Sequence, residues 1–477
     1  MKKIGVFICN YNGKEYVLNC IKSLCQQTLQ DFDIYVVDNA STDGTREAVK
    51  EEFGERVFII CNSENLGGAG GFDRGLRIGL EKRYPYLMLL DNDIILDEKV
   101  LQHMNSYLDI HSDVGIVGSK VMIMDTPDTI QDYGDYLDFE IFKERNGYMG
   151  QKDSKDLPLE NPCDYVPSCA IMIRAELLKK SGTMPADNFI YYDDIELSHK
   201  MRLAGGKVVA LGSAKVWHKG GFRKTEVNTF FRYYFLRNRL NFFAKYVSEG
   251  EIDRFIEVIL KEVFSQLYGF YNKGMKEIYQ STMFAFDDFL HQVRGKADPG
   301  KIMQISSNEI PFSKVVKGKK QIMLKFARDY FEDGIDNKYY DLLFVIANIQ
   351  KSEFQEKIWI SLEECDCNKV RLEQGMRKMA EIQMLNYKIP QLVFKDIEAA
   401  DLVLRVCKHV NLVEEQIFPE IYVDKYCNCI VSKEDYIYFT GFETNRKFFV
   451  ELYRPLIEQA IKNIKENKDI ANEDGWI

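Results

Sequence analysis

The stretch "YPYLMLLDNDIILD" (84–97) drives an apolar run into two carboxylates one residue apart, Asp91 and Asp93. In an extended segment residues i and i+2 point to one side, so these acids are expected to converge while Asn92 faces away. Ionised carboxylates held together repel and desolvate one another, and a divalent cation relieves both penalties. Mg²⁺ or Mn²⁺ bound by one or two carboxylates completes its shell with water and phosphate oxygens. The chemistry this suggests is a metal gripping a diphosphate. A polar turn after a strand would explain the same residues without any ligand.

Other segments carry compatible groups. Asp38, in "VVDNASTDGT", ends another apolar run and can accept hydrogen bonds from a nucleoside or simply organise a turn. "NLGGAGGFDRG" (65–75) places four glycines just before an expected helix, where close backbone approach aims N–H groups at anions or sugar rings. The dinucleotide fingerprint fails, because reading from Gly68 and Gly70 the third glycine position is Asp73. Asp193 and Asp194, with Glu196 behind them, sit at an expected helix start, where one acid can cap and its neighbour can face a cleft. Trp217–His218 follows a β run. A neutral imidazole there can be structural or can finish a metal shell.

The elements that must position these groups are legible in the first 120 residues. Apolar runs at 4–9, 33–38, 57–62 and 86–91 alternate with helical stretches at 15–27, after 41–43, and at 72–83. Continuous apolar strands separated by helices describe a mostly parallel sheet covered on both faces, an α/β fold whose ligands gather at the strands' carboxyl ends. Asp38 and Asp91 lie at two such ends. A second sheet-like section spans 114–215, and 229–293 is helical and aromatic. Residues 296–320 have the composition of a linker, and 321–477 mix helical patterns with short β runs. The expected organisation is 1–228, a helical extension 229–300, a linker 301–320, and a separate mixed α+β region 321–477 of unassigned role.

A chain of 477 residues exceeds one ordinary core, so two or three domains are expected. A net charge of −10 argues against a general nucleic-acid binder. The start "MKKIGVFICNYNG" lacks a signal-peptide core and no window approaches 18 apolar residues, so a cytoplasmic protein is expected. Eleven cysteines in that setting read as free thiols. The pairs Cys365/Cys367 and Cys427/Cys429 could hold zinc, although one-residue spacers are unusual for it. Lys219, Arg223, Lys224, Arg232, Arg237 and Arg239 interleave with Phe230, Phe231, Tyr233, Tyr234 and Phe235. That is either a solvated helix face over core aromatics or a surface for an acceptor's pyrophosphate or for anionic lipid.

Taken together, the early strand with "NYN" (10–12), "VVDNASTDGT", "NLGGAGGF", "LLDNDIILD", "YYDDIELSHKMRLAGG" and "WHKGG" resemble the inverting family-two glycosyltransferases of GT-A fold. The likeness runs in the family's order from residue 3 to about 240. "GGAGGFDRG" and "YYFLRNRL" (233–240) are most similar to galactofuranosyltransferases, with rhamnosyltransferases close behind. The resemblance implies that Asp38 contacts uridine, that Asn10 and Tyr11 line its base, and that Asn65, Gly67, Gly68, Asp73 and Trp217 contact the nucleotide sugar. It also implies Mn²⁺ or Mg²⁺ held by Asp91, Asp93 and His218, with Asp91 shared with ribose. Asp194 matches the catalytic base and Asp193 a residue that orients it or the acceptor. Tyr192 stands where relatives carry other residues, so the base is open by one position. The implied reaction moves a sugar from a nucleotide donor, UDP-galactofuranose or dTDP-rhamnose, to a glycan or polyprenyl-pyrophosphate-linked acceptor in cell-surface polysaccharide synthesis. Peripheral contact with the inner face of the membrane through 219–245, and a homo-oligomer, are further implied options. Two rivals are a non-catalytic nucleotide-sugar-binding scaffold and a nucleotidyltransferase, the latter poorly served by "NYNGKEY" after the first strand.

Overall fold

The computed structural model describes the chain except for Met1, 221–227, 307–310, 333, 353–356, 364–366, 383–389, 396, 398, 414–419 and 474–477. Arg223, Lys224 and Cys365 therefore lie outside the described residues. The chain forms two compact units, Met1–Val258 with Phe284–Met303 and Glu458–Ile477, and Ile259–Met283 with Gln304–Ile457.

The first unit is built on a large sheet. Its opening strands are β1 (Ile4–Asn10), β2 (Phe32–Asp38), β3 (Val57–Cys61) and β4 (Tyr86–Asp91). They lie parallel in the order β3-β2-β1-β4. β1 and the interior of β4 are buried on both faces, which is why they read as unbroken apolar runs. The register sets Asn10 beside Asp38 and Cys9 beside Asp91, so both strand-end acids share one carboxyl edge. α1 (Lys14–Cys25) and α2 (Thr45–Phe53) follow β1 and β2, and Val17, Cys20, Ile21, Leu24 and Val49 join the core beneath them.

α3 (Gly67–Glu81) begins earlier than the sequence pattern suggests, so the glycines lie inside the helix rather than ahead of it. The reason is contact with the sheet. A Cβ on Gly71 would stand 2.4 Å from Cys9 Sγ, and one on Gly79 would stand 2.4 Å from Leu87 and 2.9 Å from Phe7. Small residues four and eight apart let the helix settle directly on β1 and β4.

Beyond β4 come β5 (Ile94–Leu96), α4 (Val100–Ile110), β6 (Val114–Ile123), β7 (Thr126–Asp132), the hairpin β8 (Tyr136–Asp138) and β9 (Lys143–Arg145), β10 (Glu160–Pro162), β11 (Ala170–Arg174), α5 (Ala175–Ser181), α6 (Asp193–Leu203) and β12 (Lys207–His218). β11 enters antiparallel between β4 and β6, and β12 lies parallel to β6. Short β5 folds back against the end of β12, pairing Ile94 with His218.

α7 (Phe230–Tyr246), α8 (Ile252–Asn272) and α9 (Lys276–Leu290) form the aromatic helical section. α7 is nearly all interior. Arg237 is 0 % exposed and Arg239 5 %, so neither belongs to a basic outer surface. The expectation of a basic face running through these two arginines is corrected by their burial.

The second unit carries a six-stranded sheet of β13 (Ile322–Phe326), β14 (Lys357–Ile360), β15 (Gln391–Val393), β16 (Leu402–Val406), β17 (Ile421–Val423) and β18 (Cys429–Ile430). Its order is β15-β14-β13-β16-β17-β18, parallel except for the last pair. That is the doubly wound order. Pro311–Val316, inside the linker-like stretch, is helical, and Phe312 and Val316 are buried in this unit's core. Cys427 and Cys429 are buried free thiols there.

α6 is tied to α7 by Glu196, whose carboxylate accepts from Lys245 Nζ at 2.7 Å and from the Tyr246 hydroxyl at 3.1 Å. Burial raises the carboxyl pKa, but the Lys245, Lys200 and Arg294 charges outweigh it and bring it down to about 2. A depressed carboxyl contributes its stability above the ordinary glutamate range and loses it as pH falls through the folded value. Wild-type protein should therefore shed on the order of 3 kcal/mol between about pH 5 and pH 2 that Glu196→Gln lacks, as read by urea unfolding across that window.

Candidate active site

The D-x-D does not lie in one extended segment. Asp91 ends β4, and Asn92–Asp93 form the tight turn into β5. Convergence of the two acids comes from that turn, and the antiparallel β5–β12 pairing then delivers His218 beside Asp93. His218 Nε2 lies 3.2 Å from Asp93 Oδ1 and 3.8 Å from Asp91 Oδ2. One ligand atom from each of the three residues falls within 4.8 Å of the others, and this is the metal-competent group of acids, histidines and cysteines found among the described residues.

The charges respond accordingly. Burial pushes the Asp91 carboxyl up to about 6, with the Asp93 and Asp194 carboxylates adding to the rise and His218 opposing it. Burial also works against ionisation of Asp93, but the hydrogen bond and charge of His218 and the N–H of Gly220 outweigh it and hold Asp93 below its usual range. His218 is lowered by burial yet ends above its ordinary value, because Asp93 accepts its hydrogen bond and Asp91 adds negative charge.

Three features fit a hard divalent ion. The donor set is two carboxylates and an imidazole. Gly220 leaves room: a Cβ there would meet Asp93 Oδ2 at 2.8 Å and His218 Nε2 at 2.9 Å. Gln131, on β7, lies 2.9 Å from His218 Nδ1 through its amide nitrogen, while its own Oε1 is buried without a partner. Rotating that amide by half a turn lets Oε1 accept from Nδ1–H, the tautomer that frees Nε2 for a metal. Sequence reading missed Gln131, since a glutamine on a short strand carries no signal until β7 folds against β6, the strand that also pairs with β12.

Asp193 and Asp194 open α6. Asp193 is buried and Asp194 partly exposed. Both carboxyls are raised, first by burial; Asp193 is raised further by the Asp194 and Asp91 charges, while N–H groups of Ile195 and Ser168 partly offset the rise at Asp194. Cys9, at the end of β1, feels Asp91, Asp193 and Asp38 together. The paired acids and the triad thus share one neighbourhood.

The residues expected on the nucleoside side are placed less uniformly. Asp38 is 0 % exposed, with Oδ2 accepting from Arg46 Nε at 2.6 Å and from Ser41 N at 3.1 Å, and Oδ1 facing Asn10 Nδ2 at 3.4 Å. Asn10 is buried too, and Tyr11 is half exposed. Asn92 does not face away idly. Its amide donates to Asn10 Oδ1 at 2.7 Å, stitching the turn to the β1 loop. Gly67 has φ +73° and lies so close to the Phe189 carbonyl that a Cβ would stand 2.0 Å from its oxygen; Asn65 Oδ1 accepts from the Gly67 N–H. Gly68 faces open space. Asp73 pairs with Arg77 at 2.7 Å and, with Asn65, lines a cavity of about 480 Å³. Helical periodicity puts that cavity on the face of α3 opposite Gly71 and Gly75. Trp217 alternates to the other side of β12 from His218 and donates its indole N–H to Pro127 O at 3.2 Å. The structure therefore does not bring Trp217 to the triad.

Residues 5–181 match the family model for glycosyl transferase family 2. These residues are a family 2 glycosyl transferase domain. With the sheet described above, the family accounts for the GT-A fold expected from the sequence. Among curated relatives, the Staphylococcus epidermidis teichoic acid poly(glycerol phosphate) polymerase is 31% identical over 112 residues, 23% of this chain and 15% of the relative. The Mycobacterium tuberculosis galactofuranosyltransferase GlfT2 is 24% identical over 259 residues, 50% of this chain and 40% of that protein. The first curated relatives are thus matched over less than two thirds of their own lengths, 15% to 37% for the first three. Among solved structures, GalNAc-T7 with UDP, GalNAc and Mn²⁺ superposes with a TM-score of 0.43 at 14% identity, covering 56% of this chain and 51% of that one. Staphylococcus aureus TarS in complex with UDP-GlcNAc gives 0.37 at 15%, covering 64% and 97%. Superpositions this loose say nothing about chemistry.

Metal ligands must shed protons to bind. With Asp91 at about 6 and His218 above its ordinary value, Mn²⁺ affinity should climb as pH rises through about 6 and above. Gln131→Leu should weaken it by about 10–100-fold. Calorimetric titration with MnCl₂ reads both.

Proposed function

We propose that this chain is an inverting, metal-dependent glycosyltransferase that moves a sugar from a nucleoside-diphosphate donor to a hydroxyl of a glycan or lipid-linked glycan acceptor. The observation that carries the reading is the meeting of Asp91, Asp93 and His218 within 4.8 Å, with Asp193 and Asp194 in electrostatic reach of it. A non-catalytic scaffold has no use for that combination, because burying like charges together is costly without a ligand.

Asp91, Asp93 and His218 would hold Mn²⁺ or Mg²⁺, which when bound supplies positive charge to the departing diphosphate. Asp194, partly exposed and kept near a proton-accepting range by burial, takes the proton from the acceptor hydroxyl as it attacks. Asp193 holds its neighbour's charge in check and orients it. One displacement with one base inverts the anomeric carbon; retention would need a second carboxylate acting as nucleophile. Asn10, Asn92 and Asp38 brace the strand ends on the nucleoside side, with Arg46 the nearest cation.

The donor sugar is galactofuranose, an assignment supported by the likeness of "GGAGGFDRG" and "YYFLRNRL" and by the presence of a galactofuranosyltransferase among the relatives. Synthesis of a cell-surface polysaccharide is supported by relatives named for teichoic acid, poly(ribitol-phosphate) and teichuronic acid. No helix among the described residues is long and apolar enough to cross a membrane, and contact with the bilayer would rest on the surface near Lys219.

A thermal-shift panel of UDP- and dTDP-sugars with and without Mn²⁺ tests the reading, since a ligand of the native state raises its melting temperature. UDP-galactofuranose should give the largest Mn²⁺-dependent shift, and no shift from any nucleotide would sink the proposal. Asp194→Asn should cut turnover by about 10²–10⁴ with donor affinity held within about twofold. Asp93→Ala should lose both. Steady-state kinetics with nucleotide titrations separates the two patterns.

A further inference from the structure

The segment that leads into the paired acids is conformationally costly. Phe189, Tyr191 and Tyr192 have φ of +67°, +64° and +62°, a region bulky L-residues rarely adopt, and Tyr192 is the residue immediately before Asp193. Three such residues in four positions hold only if the surroundings over-determine them.

The surroundings are two side chains of α7. Asn238, 1 % exposed, directs its Nδ2 at three carbonyls of this one segment: Asn188 O at 3.0 Å, Ile190 O at 2.8 Å and Tyr191 O at 3.0 Å. The amide cannot turn round, because its Oδ1 accepts from Arg237 Nε at 3.1 Å. Arg237 in turn donates to Asn188 O at 3.1 Å and to Gly295 O at 2.9 Å, and its guanidinium lies against the Tyr233 and Tyr234 rings at 5.2 and 5.1 Å. From the far side, Ala69 N donates to Phe189 O at 3.1 Å, and Arg294 reaches the Asn188 side chain. None of these groups touches a carboxylate of the proposed site.

We infer that Arg237 and Asn238 are positioning residues: they lock residues 188–192 in a left-handed path that sets where Asp193 and Asp194 stand relative to the metal triad. This rests on reading one of those acids as the base. Contacts with backbone carbonyls and aromatic faces, rather than with an acceptor's phosphate, also explain why Arg237 lies inside the protein.

The test compares wild type, Asn238→Asp, and Asn238→Asp combined with Tyr191→Gly. Aspartate keeps the size of asparagine but turns an oxygen toward three carbonyls. Glycine tolerates positive φ, so it relieves the path that the clamp enforces. With Mn²⁺ and the donor that the thermal-shift panel selects, Asn238→Asp should lower kcat for donor hydrolysis at least about tenfold, with KM and UDP affinity within about twofold. The added Tyr191→Gly should recover part of kcat. Hydrogen exchange over 188–195 should quicken in Asn238→Asp whether or not turnover is measured. If Asn238→Asp folds too poorly, Arg294→Gln, at a partly exposed site, should show the same split more weakly. Unchanged exchange, unchanged kcat, or a parallel fall of kcat, UDP affinity and melting temperature without rescue each overturn the clamp. Wild type that neither binds UDP with Mn²⁺ nor hydrolyses a donor overturns the catalytic reading instead, leaving the exchange result to judge the clamp.

Discussion

Negative charge crowded at the half-buried carboxyl edge of one sheet is the constraint around which the first unit is arranged. Asp38, Asp91 and Asp93 come from strand ends or the turn that follows, and Asp193 and Asp194 from the start of a helix laid across them. Burial pushes the carboxyls of Asp91, Asp193 and Asp194 upward, and neighbouring carboxylates add to the rise. Among the described residues, the cationic side chain in contact with Asp91 and Asp93 is His218, and a single imidazole cannot neutralise both. At Asp38 the same demand is met within the chain, by Arg46. The two ends of the edge thus differ: Asp38 has an internal ion pair with Arg46, whereas Asp91 and Asp93 share one imidazole.

Holding such an edge together requires close and rigid backing. The glycines of α3 serve the backing more than the ligand, for Gly71, Gly75 and Gly79 let the helix lie on β1 and β4 where any side chain would collide. Gly67 is pinned beneath the Phe189 carbonyl, Gly70 lines the cavity beside Asp73, and Gly68 opens to space. α7 buries Arg237, Asn238, Arg239 and Asn241 alongside its apolar residues. Polar groups in a core are tolerable when their partners are fixed, and here those of Arg237 and Asn238 are chiefly backbone carbonyls of strained or irregular segments.

The second unit stands apart from this logic. Its sheet has the doubly wound strand order, and Tyr330, just past the carboxyl end of β13, is buried with no hydrogen-bond partner for its hydroxyl among the described residues. Asp424 organises the adjacent loop by accepting from the N–H groups of Tyr426 and Asn428.

The sequence by itself determined the parallel half of the first sheet, since strands buried on both faces must be written as continuous apolar runs, and it marked the acids that terminate them. It also carried the identity of the family domain, because several weak motifs in one order are strong together. Tertiary structure decided where each acid stands and what it touches. Alternation along a strand could not foresee that Asn92 and Asp93 form a turn, that Asn92 bonds Asn10, or that Trp217 falls on the far side of β12. Gln131 and Asn238 were invisible because an amide acquires a role only from the partners that folding brings to it. Arg237 looked like surface charge because an arginine among aromatics reads the same whether the helix lies in water or in a core; only the carbonyls waiting at 188 and 295 distinguish the two.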